Sequence, residues 1–441
     1  MQKLSHTIKD GLGRMGIHKL NAMQESALLS VEKHPDVVLL SPTGSGKTLA
    51  FMLPILNMLD PENKNIQALI IAPSRELAIQ IEQVFKQLGT GFKVNCCYGG
   101  HPFKTEVNNL THPPALLVGT PGRIADHLRR NSFDAIGIRT LVLDEFDKAL
   151  DLGFMREMKE IIEQLPRIRR RILTSATPMD EIPTFTGIHN PVVLDYLEKD
   201  VQPNRLTVKG VRSEGRDKLD AFIRLISHLG NAPMLVFVNH RESADRISTQ
   251  LFAKGIAHGI FHGGMKQEER ERALITFRNG SHHLLVTTDL ASRGLDIPDI
   301  QYIIHYHLPT TAEAYIHRNG RTARMKASGT AYLLLAEGES IPEYIGEEPV
   351  WEELPVQGDL PEPADWVTLY IGSGKKDKVN KVDIVGLFLQ KGKLKKDELG
   401  LIDVLDYSAF VAIRSNKVKK VLELLKEEKI KGKKLKIELS R

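Results

Sequence analysis

Ser41-Pro42-Thr43-Gly44-Ser45-Gly46-Lys47-Thr48 constrains this chain more than any other stretch. The apolar run Val37-Val38-Leu39-Leu40 before it reads as a buried strand, and Leu49-Ala50-Phe51-Met52-Leu53 after it reads as a helix. A strand, a glycine-rich turn and a helix opening on Lys-Thr make a phosphate cradle, because backbone N–H groups and the helix N-terminus face the anion. Lys47 adds a point charge, and the Thr48 hydroxyl is suited to Mg2+. The strict pattern has Gly at position 41, where this chain has Ser. The competing reading is a plain Gly-Ser turn, which the matching strand and helix on either side disfavour.

A chain of 441 residues has room for about three domains, each with its own core. Its apolar runs fall short of the roughly 18–20 residues that span a membrane. The N-terminus, Met1-Gln2-Lys3-Leu4-Ser5-His6, lacks the apolar core of a signal peptide. Cys96 and Cys97 are adjacent and offer no disulfide framework, which favours a reducing, cytoplasmic setting. They also leave no zinc site of the usual thiolate type. Charge is distributed unevenly. Residues 366–441 hold 19 Lys and Arg against 10 Asp and Glu, and the preceding 365 hold 41 against 45. A basic module on a near-neutral body suggests a polyanion-binding tail; a solvated lysine-rich surface is the alternative.

Short apolar runs alternate with amphipathic stretches, the pattern of a doubly wound α/β sheet. In the first part the runs fall at 68–72, 115–118, 140–143 and 171–174, with helices over 75–88, 122–130 and 155–165. The pattern restarts with strands over 234–238, 259–261, 284–287, 302–305 and 329–335, and helices over 216–229, 241–254, 267–278 and 311–318. The polar stretch 195–215 reads as a hinge. The expected domains are 1–204, 205–336, an acidic proline-rich connector over 337–365, and 366–441. The last shows strands over 367–372, 400–405, 408–414 and 434–439 with helices over 379–390 and 416–428, a ferredoxin-like βαββαβ order.

Asp144-Glu145 close the run Thr140–Leu143, at the end of a strand where α/β sheets bind ligands. There Asp144 would hold Mg2+ and Glu145 would orient or deprotonate the attacking water. An acidic cap on the following helix is the alternative.

At this point a resemblance becomes specific. Asp144-Glu145-Phe146-Asp147 resembles motif II of the DEAD-box RNA helicases, with Phe146 where that family usually has Ala. Pro73-Ser74-Arg75-Glu76-Leu77-Ala78, Gly99-Gly100, Thr120-Pro121-Gly122-Arg123 and Ser175-Ala176-Thr177 resemble further family blocks in the family's order. The resemblance implies RNA backbone contacts at Arg75, Gly99, Gly100, Thr120 and Arg123. It also implies coupling of the nucleotide side to the RNA side through Asp147, Ser175 and Thr177. Turn chemistry after strands, or a helix N-cap, is the structural alternative. Gly16-Ile17 followed by Gln24 resembles the Q motif, in which the Gln recognises the adenine edge. The usual Pro-Thr is Leu20-Asn21 here, and no aromatic residue precedes Phe51.

In the second domain, His317-Arg318-Asn319-Gly320-Arg321-Thr322-Ala323-Arg324 resembles motif VI. The resemblance makes Arg321 and Arg324 arginine fingers for the γ-phosphoryl group and His317 a bridge between domains. Thr287–Pro298 resembles motif V, which implies that Asp296 accepts from a ribose hydroxyl and that Thr288 faces RNA or the domain interface. Arg270 is a candidate phosphate contact; a helical ion pair is the alternative.

Residues 366–441 resemble the RRM-like RNA-binding domain of the DbpA subgroup, on the string Leu369–Val379 followed by Asp383-Ile384-Val385-Gly386. Members of that subgroup bind large-subunit ribosomal RNA. The usual aromatic RNP1 pattern is missing, so Tyr370 and Phe410 are either stacking or core residues. Lys375, Lys376 and Lys378 are better candidates for phosphate contacts. The resemblance implies two tandem RecA-like α/β domains plus a ferredoxin-like one, with ATP and Mg2+ as cofactors. It also implies RNA, in pre-ribosomal particles, as partner for a monomer with no membrane association. A clamp with weak ATPase is the rival, motivated by Phe146 and the missing aromatic.

Overall fold

Apolar runs without a polar face persist as strands only when both sides are covered. In the computed structural model the runs found in the first part become β1 (Asp36–Leu40), β2 (Ala68–Ile71), β4 (Leu116–Gly119), β5 (Thr140–Leu143) and β6 (Arg170–Ser175). All but the start of β6 are buried along their length. Two more strands, β3 (Val94–Cys97) and β7 (Val192–Asp195), complete a parallel sheet of order β3-β4-β2-β5-β6-β1-β7. These two escape the sequence pattern because they are edge strands and stay partly exposed. The structure describes residues 4–179, 181–197, 206–289, 300–322, 329–346, 348–355, 360–434 and 436–440.

Alternation along the strands splits the core in two. Val37, Ile70, Val118, Val142 and Ile172 face a cluster with Phe51, Ile81 and Phe85. Val38, Leu69, Leu117, Leu141 and Leu173 face the other side, against Ile124, Leu128, Met158 and Ile161. Helix ends are set locally. Ser74 caps Arg75–Leu88 through its hydroxyl and Leu77 N (3.2 Å), and Gly89 ends it at φ 63°. Asn21 and Gln24 form a capping box at the start of Ala22–Lys33.

The chain divides into two compact units near residues 204 and 205. The second unit contains a sheet of β8 (Leu206–Arg212), β9 (Met234–Val238), β10 (Gly259–Phe261), β11 (Leu284–Thr288), β12 (Tyr302–His305), β13 (Gly329–Leu335) and β14 (Val350–Trp351). Its order is β10-β11-β9-β12-β13-β8-β14. Counted from its own first strand, this is the order of the first sheet, so one topology occurs twice. β8 corrects the hinge reading of 195–215: its polar residues Thr207, Lys209 and Arg212 hid a strand. β14 shows that the connector contributes a strand to this sheet. Trp351 lies over the Arg212 guanidinium (4.0 Å) and across Gly210, where an added Cβ would come within 2.7 Å of the ring. Glu352 receives Lys209 (3.1 Å) and His228 (3.2 Å).

The C-terminal part forms an antiparallel sheet from β15 (Trp366–Ile371), β16 (Leu399–Val404) and β17 (Ala409–Arg414), then two short strands, β18 (Lys429–Ile430) and β19 (Lys433–Lys434), then β20 (Ile437–Leu439). The four-stranded order is β16-β17-β15-β20. Leu369, Ile371, Ala409, Val411 and Ile413 point inward against Ile384, Phe388, Val421 and Leu425. The opposite sheet face packs on the turn that links helix Gln267–Arg278 to β11. Asn279 Nδ2 donates to Thr368 Oγ1 (3.1 Å), Ser281 shares a hydrogen bond with the same hydroxyl (2.7 Å), and Arg278 pairs with Asp403 (2.7 Å). The Arg272 guanidinium sits over the Tyr370 ring (5.5 Å). Among the described residues no helix is long and apolar enough to cross a membrane.

Replacing Thr368 by Val leaves Asn279 and Ser281 without their shared partner. We expect a loss of about 1–3 kcal/mol of docking stability, read as faster hydrogen exchange at residues 278–281 with the 366–439 core still protected.

Candidate active site

The turn 41–48 lies between the end of β1 and the helix Lys47–Met58. Gly44 and Gly46 take φ of 85° and 91°, which glycine adopts without strain. An added Cβ on Gly46 would stand 2.6 Å from the Gln24 amide nitrogen. Ser41 keeps the turn intact: its hydroxyl donates to Ser45 Oγ (2.6 Å) and its N–H to Ser175 O (3.0 Å). Lys47 is nearly buried and donates to the carbonyls of Ser41 and Pro42, the latter at 3.0 Å. Burial lowers its pKa to about 8, with Glu145 and Asp144 opposing that shift. Thr43 and Thr48 are half-buried beside it.

Asp144 and Glu145 follow β5 and are both buried. Burial, with Glu145 beside it, raises the Asp144 pKa to about 6, against the Thr174 hydrogen bond and the Lys47 charge. Thr174 Oγ1 donates to Asp144 Oδ1 (2.5 Å) and accepts from Glu145 N (3.1 Å). Glu145 takes φ 49° at the start of helix Phe146–Asp151 and pairs with the fully buried Lys148 (2.8 Å). Left-handed backbone at a non-glycine residue is uncommon and clusters at functional sites. Phe146 turns into the core, 6.3 Å from the Phe185 ring, so the larger side chain occupies space on the side away from the carboxylates. The cradle of two left-handed glycines, a buried lysine and two buried carboxylates suits a metal-bound polyphosphate.

Thr177 Oγ1 donates to Asp147 Oδ2 (3.0 Å), and Ala176 N donates to the same oxygen (3.3 Å). Of the two hydroxyls grouped with Asp147 by the resemblance, only that of Thr177 bonds to it. Ser175 donates instead to Thr177 O (2.6 Å) and receives Thr177 N, because the chain turns back on itself there. Gln24 is buried, not an exposed helix residue, and lies against the phosphate turn, donating to Gly46 O (3.4 Å). Asn21, a departure from the Q motif, caps that helix and donates to Ser45 O (3.0 Å).

Gly99 sits beside Arg75, whose guanidinium an added Cβ would meet at 3.3 Å, and Gly100 follows it at φ 103°. Thr120 starts the helix Pro121–Arg129 that carries Arg123. Sequence reasoning missed the residue that joins these loops. The buried Glu106 carboxylate accepts from Tyr98 N (2.9 Å) and contacts His101 (2.8 Å), Arg123 (2.7 Å) and His127 (2.7 Å). Burial pushes its pKa up, but hydrogen bonds from His101 and His127, with Arg123 close by, bring it down to about 2. Cys97, Glu106 and His127 have ligand spacing for a metal. The Arg123 cation already neutralises the carboxylate, and burial keeps the thiol protonated, so a cation is disfavoured there.

In the second unit, Arg318 is the organising residue, although it drew no separate notice in the sequence. It is 1% exposed and grips Asp289 through two bonds (2.5 and 2.7 Å), Asn239 Oδ1 (2.8 Å) and His307 O (2.7 Å). Asn319, a departure from motif VI, bonds to His305 (3.0 Å). His317, Arg321 and Thr288 are buried within the same unit. Arg270 lies over the Phe261 ring (4.8 Å). Asp296 and Arg324 lie outside the described residues. Lys375, Lys376 and Lys378 are exposed on the loop after β15. Phe410 is buried and Tyr370 half-buried in the docked sheet face, which favours the core reading of both.

A phosphate turn beside paired carboxylates on one parallel sheet, followed by a second sheet of the same order, defines a tandem-domain nucleoside-triphosphate hydrolase. Three family descriptions match: DEAD/DEAH box helicase over 21–185, helicase conserved C-terminal domain over 217–326, and DbpA RNA binding domain over 368–439. The chain belongs to the DEAD-box ATP-dependent RNA helicases. It is 30% identical to the ATP-dependent RNA helicase DbpA of Bacillus subtilis (strain 168), over 99% of this chain and 98% of that one. It is 31% identical to the DbpA of Escherichia coli (strain K12), over 97% and 96%. Among solved structures, S. cerevisiae Dbp5 bound to RNA and ADP BeF3 matches with TM-score 0.71 at 28% identity, over 79% of this chain and 94% of that one. Mss116p bound to single-stranded RNA and AMP-PNP matches with TM-score 0.68 at 26% identity, over 76% and 73%. The protein is thus an RNA-stimulated ATPase that binds RNA.

Two outcomes follow from this geometry. Thr174→Val unties Asp144 from Glu145 and should lower RNA-stimulated ATP turnover about tenfold or more, with half-saturating RNA unchanged in steady-state assays. Ionised Glu106 should contribute about 3 kcal/mol to stability, present above pH 4.5 and lost as pH falls through about 2. In Glu106→Gln, acid unfolding scans should lack that component.

Proposed function

We propose that this helicase locally remodels structured ribosomal RNA of the large subunit during its assembly in the cytoplasm. The observation that carries the reading is the DbpA-type domain, with Lys375, Lys376 and Lys378 exposed on one loop, joined to an ATPase core. Phosphate contacts from such a loop fix position without reading sequence and bring the duplex to the core at raised effective concentration. The monomer then acts on strands near its anchor within a pre-ribosomal particle.

In this reading Lys47, with the backbone of residues 41–48, binds the phosphates. Thr48 and Asp144 hold Mg2+, which supplies positive charge to the phosphate oxygens. Glu145 orients the attacking water, and Thr174 and Lys148 hold Glu145 in place. Gln24 contacts adenine and Asp296 the ribose. Arg321 and Arg324 stabilise the γ-phosphoryl charge, and His317, Asp147, Ser175 and Thr177 couple the nucleotide to RNA. Arg75, Gly99, Gly100, Thr120, Arg123, Arg270 and Thr288 contact the RNA backbone.

The test is a titration of ATPase activity with a panel of RNAs that includes large-subunit rRNA hairpins, with and without residues 366–441. The intact chain should respond to the rRNA hairpin at a concentration at least about tenfold lower than to unrelated RNA, and removal of the tail should abolish that preference. Equal responses from both forms to every RNA would refute the targeting role. Glu145→Gln should abolish turnover while retaining ATP binding.

A further inference from the structure

Residues 366–441 contain five aromatic side chains: Trp366, Tyr370, Phe388, Tyr407 and Phe410. Four are engaged. Phe388 lies in the core. Phe410 is 3% exposed and meets the Tyr370 ring edge-on (5.6 Å). Tyr370 lies under Arg272 from the docked turn, and Trp366 lies under Arg414 (4.4 Å) near Gly280. The sheet face that single-stranded RNA uses in ordinary RRM folds is therefore covered by this chain's own second sheet domain. Tyr407 differs: it is 66% exposed, the one exposed aromatic side chain among the described residues of this domain.

Its position is built. Asp406-Tyr407 form the tip of the β16–β17 hairpin, closed by Leu405 N to Ser408 O (2.8 Å). The lysine loop is fastened to that tip by Lys375 N to Leu405 O (2.9 Å) and Lys376 N to Asp406 O (2.8 Å). The approach is so close at Gly374 that an added Cβ would stand 2.3 Å from Leu405 O. An apolar ring held in water costs free energy unless a partner covers it. Here three exposed lysines lie on the loop whose backbone is bonded to its hairpin tip, and an exposed ring and cations on adjoining loops suit an unpaired base with its flanking phosphates. We propose that Tyr407 stacks on an unpaired RNA base while Lys375, Lys376 and Lys378 hold the adjoining phosphates. This deepens the RNA-targeting role proposed above and rests on it.

The experiment measures binding of the full-length protein, without nucleotide, to a fluorescein-labelled RNA hairpin with a single-stranded loop and to the same stem closed as a blunt duplex. Fluorescence anisotropy is recorded across a salt series. Tyr407→Ala should weaken hairpin binding about tenfold or more, leave the duplex within about twofold, and leave the salt slope unchanged because no charge is lost. Tyr407→Phe and Tyr407→Trp should bind like the native protein. Lys375→Ala with Lys376→Ala should flatten the salt slope by about 0.7 per phosphate contact. Native-like hairpin binding by Tyr407→Ala, equal loss in Tyr407→Phe, or equal loss on the duplex would overturn the stacking. If the lysine variant also binds as the native protein does, the RNA-targeting reading of this loop fails as well; if the lysines alone matter, the stacking inference alone fails. Thermal unfolding of each variant checks that the domain is intact.

Discussion

Charge buried at the carboxyl ends of parallel strands is the constraint on which the rest of this molecule depends. Taking an ion out of water costs several kcal/mol unless partners surround it. In the first unit Lys47, Asp144, Glu145 and Lys148 meet that cost together, and the backbone turns around them are fixed as a consequence. In the second, Arg318 does the same for Asp289, Asn239 and the end of β12.

Placing the same strand order twice is an economical way to obtain two such edges. The crossovers put every carboxyl end of a sheet on one side, so loops distant in sequence converge there. That is why Ser41 bonds to Ser175, more than a hundred residues further along the chain, and Asp144 bonds to the neighbouring Thr174. The hub at Glu106 extends the principle to the loops near Gly99 and Arg123.

Much of this was legible in the sequence. Fully buried strands are written as unbroken apolar runs, and the phosphate turn announces itself through glycines that must adopt positive φ. Edge strands were less visible. Val94–Cys97 and Val192–Asp195 alternate or interrupt their apolar residues because one side meets solvent, and Leu206–Arg212, an inner strand, was hidden by its polar residues Thr207, Lys209 and Arg212. Glu106 and Arg318 were hidden for a different reason: a buried charge and an exposed one are spelled alike, and only the tertiary partners distinguish them. Phe146 suggested an altered site, yet the ring faces the core. The family resemblance couples Ser175 with Asp147, and the turn directs the Ser175 hydroxyl to Thr177 instead.

The docked face of the C-terminal sheet has a practical meaning for this molecule. Cut free as residues 366–441, the domain would uncover the face of Trp366, Tyr370 and Phe410, which the intact chain keeps against Arg272 and Gly280 and pins through Thr368 to Asn279 and Ser281. Such a fragment would acquire a sticky surface resembling that of an ordinary single-strand binder. Its affinities would describe a surface the whole protein does not offer. The neighbouring sheet thus conceals a surface that the small domain alone would present.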